Sequence, residues 1–294
     1  MMSEEALFDT NDMTSSKRYL HTPSEFARKK LIYVQETGKL KSIKPHVSSR
    51  SNLESYLFFT VVSGYGRVTY ENKEYEIKAG DCAFIDCRKM YEHCCGEDSQ
   101  WELKWVHMDG ALLADYYGIF LEKNGGSPVF KASDVKKYSS LIDEIMANQN
   151  EKDITSEYIC HSILTTLVTS ILVEIINEGN KKLNPDILNN IREAVNDRFK
   201  EEDLLESVCK EYDMDEITIN RQFKDKYGID LCDYILNRRF TCAKELLRFS
   251  VKPVKEIVSE SGIMNADLFR HLFIENEGMT AEEYRKKWAQ WNRG

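Results

Sequence analysis

Apolar and polar positions follow two different rules along this chain. Between residues 31 and 107 they come in short, strand-length runs separated by turn residues. Tyr56-Leu57-Phe58-Phe59-Thr60-Val61-Val62 is aromatic and β-branched without a break, and Ser63-Gly64-Tyr65-Gly66 ends it in a turn. Residues 67–70 alternate, 71–74 turn, 75–77 return, 78–81 turn again, and 82–85 and 101–107 complete the series. Several short strands with regular turns predict a sandwich or small barrel. From residue 133 onward the period lengthens to that of a helix. Val135, Tyr138, Leu141, Ile142, Ile145 and Met146 stripe one segment; Ile159, Ile163, Leu167, Ile171, Leu172, Ile175 and Ile176 stripe a longer one over 154–178. So wide a stripe needs a cover, from the barrel or from a second subunit. Gly179, Asn180, Asn184 and Pro185 mark a boundary, which divides the chain into 1–178, a linker at 179–185, and 186–294. Residues 1–28 are polar and show no clear period.

The C-terminal part contains one pattern written twice. Ile219-Asn220-Arg221-Gln222-Phe223, Gly228 and Tyr234 recur as Phe269-Arg270-His271-Leu272-Phe273, Gly278 and Tyr284, each displaced by 50 residues. A constant displacement marks a repeated structural unit. A short apolar-periodic segment and a break precede each copy, so each predicts helix, turn, helix. Asp215 is placed to cap the first copy's second helix, and Gly262 supplies the turn of the second. Ile219 and Phe223 share a helix face and pack inward; Asn220, Arg221 and Lys224 then point outward. An exposed amide and guanidinium on a helix suit the major groove, where Asn pairs with adenine and Arg with guanine.

Residues 234–247 resemble the long linker helix of the AraC/XylS family of bacterial transcription regulators, and 254–285 resemble that family's second helix-turn-helix. Gly64-Tyr65-Gly66, Gly80-Asp81 and Trp105-Val106-His107-Met108-Asp109-Gly110 are similar to the family's cupin-like effector domain. The resemblance implies an α+β chain: an N-terminal cupin-like β-barrel with flanking helices and a C-terminal all-α domain with two helix-turn-helix units. It implies DNA contact through Ile217, Thr218, Asn220, Arg221 and Lys224 in the first unit and Asn265, Asp267, Arg270 and His271 in the second. It implies a sugar pocket in which Arg50, His93 and Trp105 match lining positions; alternation along one strand face adds Leu103, and His46 is a further candidate from the residues themselves. Aromatic faces suit the C–H faces of a sugar, while His and Arg bond its hydroxyls. Homodimerisation through the helices, and contact with RNA polymerase if the chain activates, follow from the same likeness. The second unit departs from the pattern. His271 and Ile274 stand where Arg and Lys are usual, so the two units are expected to grip DNA unequally.

Charge sharpens this picture. The 294 residues carry a formal net charge of −9. Residues 186–294 hold 18 Lys and Arg against 22 Asp and Glu, a net of −4. DNA contact therefore needs a local basic stripe, for which Arg221, Lys224, Lys226, Arg238, Arg239 and Lys244 are the candidates. A diverged regulator working through protein contacts with weak DNA binding is the main alternative. A cupin metalloenzyme is a lesser one: such enzymes use His-x-His plus Glu and a later His, and His46 is followed here by Val47 and Ser48. The eight cysteines include no CxxC pair, and no metal, cofactor or catalytic role is expected. No run approaches 18 apolar residues, so neither a membrane span nor a secretory leader is expected, and a cytoplasmic location follows.

Overall fold

The computed structural model describes residues 14–42, 47–96, 100–149, 154–180 and 185–289. His46 falls outside them. The chain divides into two compact units, Met1–Gly179 and Asn180–Gly294.

The first unit runs β1 (Thr14–Leu20), α1 (Glu25–Lys30), β2 (Tyr33–Ser42), β3 (Val47–Arg50), β4 (Tyr56–Ser63), β5 (Tyr65–Tyr70), β6 (Lys73–Lys78), β7 (Asp81–Asp86), β8 (Tyr91–Cys95), β9 (Glu102–Asp109), α2 (Leu113–Lys123), β10 (Val129–Lys131), α3 (Val135–Gln149) and α4 (Ile154–Asn180). The strands form one sheet ordered β1-β2-β9-β4-β7-β10 and another ordered β3-β8-β5-β6. Two sheets are what the spacing of strands and turns predicts, and the cupin-like arrangement is what the family resemblance implies.

The larger sheet is buried on both faces, which explains why β4 shows no polar alternation. Tyr56 and Phe58 point to a core shared with Leu113, Tyr117, Phe120, Tyr138, Ile142 and the inner stripe of α4. Leu57, Phe59 and Val61, on the opposite face, join Val68, Tyr70, Ile77 and Tyr91 of the second sheet. Neighbouring β9 does the same, sending Val106 and Met108 to the helices and Leu103 to the inter-sheet core. Each such side chain contributes about 1.5–3 kcal/mol relative to exposure, so register is strongly fixed in these two strands.

Seven elements of this unit are not individually marked in the sequence: β2, β3 and β8 carry no distinct run, and the other four are β1, β10, α1 and α2. β1 is an edge strand pairing only with β2, β10 has three residues, and α1 and α2 are short. α4 also differs from the sequence reading. Ser, Thr and His interrupt any apolar run, yet residues 155–179 are long and apolar enough to cross a membrane, with a mean hydropathy of 1.9. Cys160, Leu164, Leu167, Val168, Ile171 and Ile175 are buried in the core shared with α2, α3 and the larger sheet, while Tyr158, Ile159 and Val173 face outward, so α4 is buried along one side. Gly179 and Asn180, assigned to the linker from sequence, extend α4 by its last turn. Pro185 opens the next helix, at the one position where its missing N–H costs nothing.

The second unit contains α5 (Pro185–Arg198), α6 (Leu204–Glu211), α7 (Glu216–Tyr227), α8 (Leu231–Phe249), α9 (Val254–Glu260), α10 (Ala266–Glu277) and α11 (Ala281–Trp288). It has two cores. Leu188, Val195, Val208, Ile219, Phe223, Leu231 and Ile235 form the first. Phe240, Ala243, Leu247, Ile257, Phe269, Phe273 and Tyr284 form the second. The long helix α8 feeds both, its first turns entering one core and its last turns the other.

The 50-residue displacement survives in three dimensions. Phe223 lies 5.4 Å from Tyr234, and Phe273 lies 5.5 Å from Tyr284. Gly228 and Gly278 end α7 and α10 with φ of 75° and 67°, left-handed values that a side chain would strain. Because the cores are separate, Phe223→Ala and Phe273→Ala should each cost about 3–5 kcal/mol, locally. Hydrogen exchange is expected to lose protection in α7 for the first variant and in α10 for the second; loss in both helices from either change would contradict the two-core description.

Candidate nucleic-acid interface and effector wall

α7 is built to present one face. The Asp215 carboxylate caps it by accepting from the Thr218 N–H at 2.8 Å. Ile219 and Phe223 are wholly buried, which turns Ile217, Arg221 and Lys224 to solvent. Ile217 is 82% exposed, an unusual state for an isoleucine at the start of a helix. Thr218 is half-buried beside the cap. Among the described residues Arg221 has no hydrogen bond or ion pair, so its guanidinium is available to a partner.

Asn220 corrects the sequence reading. Its Oδ1 accepts from the Leu231 N–H at 3.1 Å, and its Nδ2 lies 3.8 Å from the Cys232 sulfur. Asp230 precedes α8 without a side-chain cap of its own, so Asn220 caps that helix from α7. Its amide is thus engaged within the fold, unlike the Arg221 guanidinium beside it.

The proposed basic stripe is also broken. Lys224 pairs with Asp230 at 3.0 Å and Lys244 with Glu277 at 2.8 Å. Lys226 donates to Asn189 Oδ1 at 2.9 Å. Arg239 donates to the Phe199 and Glu201 carbonyls, and Arg238 lies over the Phe199 ring, so both guanidiniums fasten α8 to the end of α5. A sequence shows which cations are present, not which have found internal partners.

α10 presents a different chemistry on the same frame. Asn265 caps it, accepting from the Asp267 and Leu268 N–H groups. Asp267 pairs with Arg270 at 3.3 Å, and His271 lies 3.5 Å from Glu275. Ile274, Leu268 and Met264 add exposed apolar surface. Its single arginine is thus partly neutralised by its own helix.

In the first unit the predicted effector residues separate. His93 is buried among the rings of Phe59, Tyr91 and Trp101, at 5.3, 6.1 and 6.0 Å. Leu103 is buried in the inter-sheet core. Trp101, on the same face, is completely enclosed. Arg50 is exposed on β3, opposite Tyr91 in register. Trp105 is half-buried, with its ring against Gly38, where an added Cβ would lie 2.7 Å from it. Its indole N–H donates to Glu36 at 3.1 Å, and Arg18 pairs with the same carboxylate at 3.1 Å. Arg18 also lies 5.6 Å from the indole ring.

Sequence reading missed Arg18 and Glu36, because β1 shows no period and Glu36 is brought to Trp105 only by strand pairing. His107 completes this wall. Its Nδ1 is 3.0 Å from the Ser55 hydroxyl. Burial, and then the charges of Arg50 and Arg18, push the ring's pKa down to about 4. It is therefore a neutral hydrogen-bonding group throughout the physiological range.

Comparison with known proteins follows the same division. Residues 40–164 match the AraC-like ligand binding domain and 208–287 match a helix-turn-helix domain. The lactose operon transcription activator of Staphylococcus xylosus is 22% identical over 242 residues, covering 76% of this chain and 81% of its own. The HTH-type transcriptional activator RhaR of Cronobacter sakazakii is 21% identical over 242 residues, 77% and 82% of the two chains. The virulence regulon transcriptional activator VirF of Yersinia enterocolitica is 23% identical over 241 residues, 75% and 86%.

The His107 environment sets a pH dependence. With its folded pKa moved from 6.5 to about 4, the unfolded chain binds the extra proton first. The stabilising contribution of the neutral ring is present in full above pH 6.5 and is lost as pH falls toward 4. The melting temperature of the first unit should drop over that range. By pH 4.5 the drop should exceed that of His107→Asn by the equivalent of roughly 2–3 kcal/mol. Parallel pH profiles for the two proteins would contradict this account.

Proposed function

We propose that this chain, which belongs to the AraC family of transcription regulators, binds DNA through α7 with weaker support from α10, under control of a small molecule held by the first unit. The observation that carries the reading is the orientation of α7. Two buried apolar side chains roll it so that an uncompensated Arg221 and an exposed Ile217 face outward together. A guanidinium for guanine and an aliphatic side chain for a thymine methyl are the two kinds of group that read a major groove.

Carbohydrate is the effector class that the wall favours. The Trp105 face suits sugar C–H groups, and Glu36, Arg18, Arg50 and His107 offer donors and acceptors for hydroxyls. The name of one relative, a lactose operon activator, is in keeping with this. Two copies would pair through the outward side of α4, where Tyr158, Ile159 and Val173 are exposed. An activating role would add contact with RNA polymerase, and DNA as target places the protein in the cytoplasm. A second reading, a regulator that works chiefly through protein contacts, is favoured by the acidic and apolar surface of α10.

Duplexes enriched by the chain from a random pool provide the test. Arg221→Ala should cost about 1–3 kcal/mol of affinity and relax preference at one base position. Asn220→Ala should leave base preference unchanged and instead lower stability by about 1 kcal/mol, through loss of the α8 cap. His271→Arg should tighten binding and steepen its salt dependence by about one phosphate contact. Failure of the chain to enrich any duplex would favour the protein-contact reading; an unchanged affinity for Arg221→Ala would remove α7 from the groove.

A further inference from the structure

A cleft of about 300 Å³ lies at one end of the larger sheet, apart from the wall around Trp105. Arg28 of α1, Tyr33 of β2, Tyr56 of β4, Arg88 after β7, Asp109 of β9 and Ala114 of α2 line it. Its volume falls at the lower end of small-molecule sites, which span about 300–1,000 Å³. Nothing in the sequence pattern joins these residues, since four strands and two helices are needed to bring them together.

The cleft is preorganised on one side. Arg88 is held by Glu54 at 3.1 Å, Asp86 at 3.2 Å and Asp109 at 3.3 Å, and its guanidinium lies 4.8 Å from the Tyr56 ring. Tyr33 donates to Asp109 at 3.4 Å. Glu54 and Asp86 anchor Arg88 without lining the space.

Arg28 is different. It is exposed, and its Nη1 donates to the Pro23 carbonyl at 3.0 Å. Among the described residues it has no carboxylate partner; Glu25, on the same helix, pairs with Lys29. Arg88 is matched by three carboxylates, so Arg28 is the lining cation left without one. Its charge reaches the cleft, where it lowers the Tyr33 pKa against the larger opposing effects of burial and Asp109.

We propose that this cleft binds a monosaccharide-sized polyol carrying one negative group, a carboxylate or a phosphate. The anion meets Arg28, the hydroxyls meet Asp109, Arg88 and the Tyr33 phenol, and a C–H face rests on the half-buried Tyr33 ring and Ala114. Charge-assisted bonds to a guanidinium give the anion its advantage over a neutral sugar. The proposal rests on the reading that the first unit binds small molecules, but not on the Trp105 wall.

The full-length chain is titrated with D-gluconate, D-glucose 6-phosphate, D-glucose and inorganic phosphate, with binding heat and melting temperature as readouts. At least one charged polyol should bind about tenfold tighter than glucose or inorganic phosphate, and which of the two it is distinguishes carboxylate from phosphate. Arg28→Gln, an exposed change that leaves the fold intact, should weaken that binding by about tenfold. The proposal is overturned if glucose binds as tightly as the charged polyols, if Arg28→Gln has no effect, or if neither charged polyol binds at tens of millimolar. Loss of binding in Trp105→Ala but not in Arg28→Gln would seat the ligand on the wall instead, preserving small-molecule control while removing the cleft.

Discussion

The roll of α7 about its own axis decides what the second unit can do, and that roll is fixed by burying Ile219 and Phe223. With both fully enclosed against Val208, Leu231 and Ile235, the helix has one rotational setting, and Arg221 has one direction in which to point. Phe269 and Phe273 set α10 in the same way against Phe240 and Ile257. α8 ties the two settings together because it supplies residues to both cores. Packing therefore produces a pair of presented helices, and the identity of the presented side chains determines how well each holds DNA. Acidity of the surrounding surface does not prevent this, since what matters at the interface is whether a cation has already been neutralised from within.

The same dependence on double burial shapes the first unit. A sheet enclosed on both faces has little freedom of register, so the side chains at its margins are placed firmly. The Trp105 wall and the cleft at Arg28 are both margins of this sheet. One is made where β1, β2 and β9 present polar groups beside the inter-sheet core. The other is made where β2, β4 and β9 meet α1 and α2. A rigid sheet with polar margins is suited to recognising small molecules, because little ordering remains to be done when one binds.

Much of this architecture was legible because it rests on local patterns. Strands ended where Gly and Asn marked turns, with Glu71 and Asn72 adopting the positive φ that the turn at 71–74 required. The duplicated Phe, Gly and Tyr gave both helical units directly. What stayed hidden was partnership at long range. The sequence offers Asn220 and Lys224 as free polar groups, yet Leu231 and Asp230 occupy them. It suggests that Leu103 and Trp105 are equivalent, being two residues apart, yet one is buried in the core and the other is half-exposed beside Glu36. Arg28 and Arg88 lie in stretches without periodicity, and only the folded chain brings both to one cleft.

On the proposed reading, two helices of unequal strength, held on one frame, face successive major grooves. Hydroxyl-radical footprinting of the full-length chain, on a duplex it has enriched from a random pool, tests this most directly. The account predicts two protected patches on one face of the DNA, separated by roughly one helical turn of 10–10.5 base pairs. The patch assigned to α7 by the Arg221→Ala variant should be the more strongly protected. A single protected patch, or two of equal strength that both survive Arg221→Ala, would contradict it.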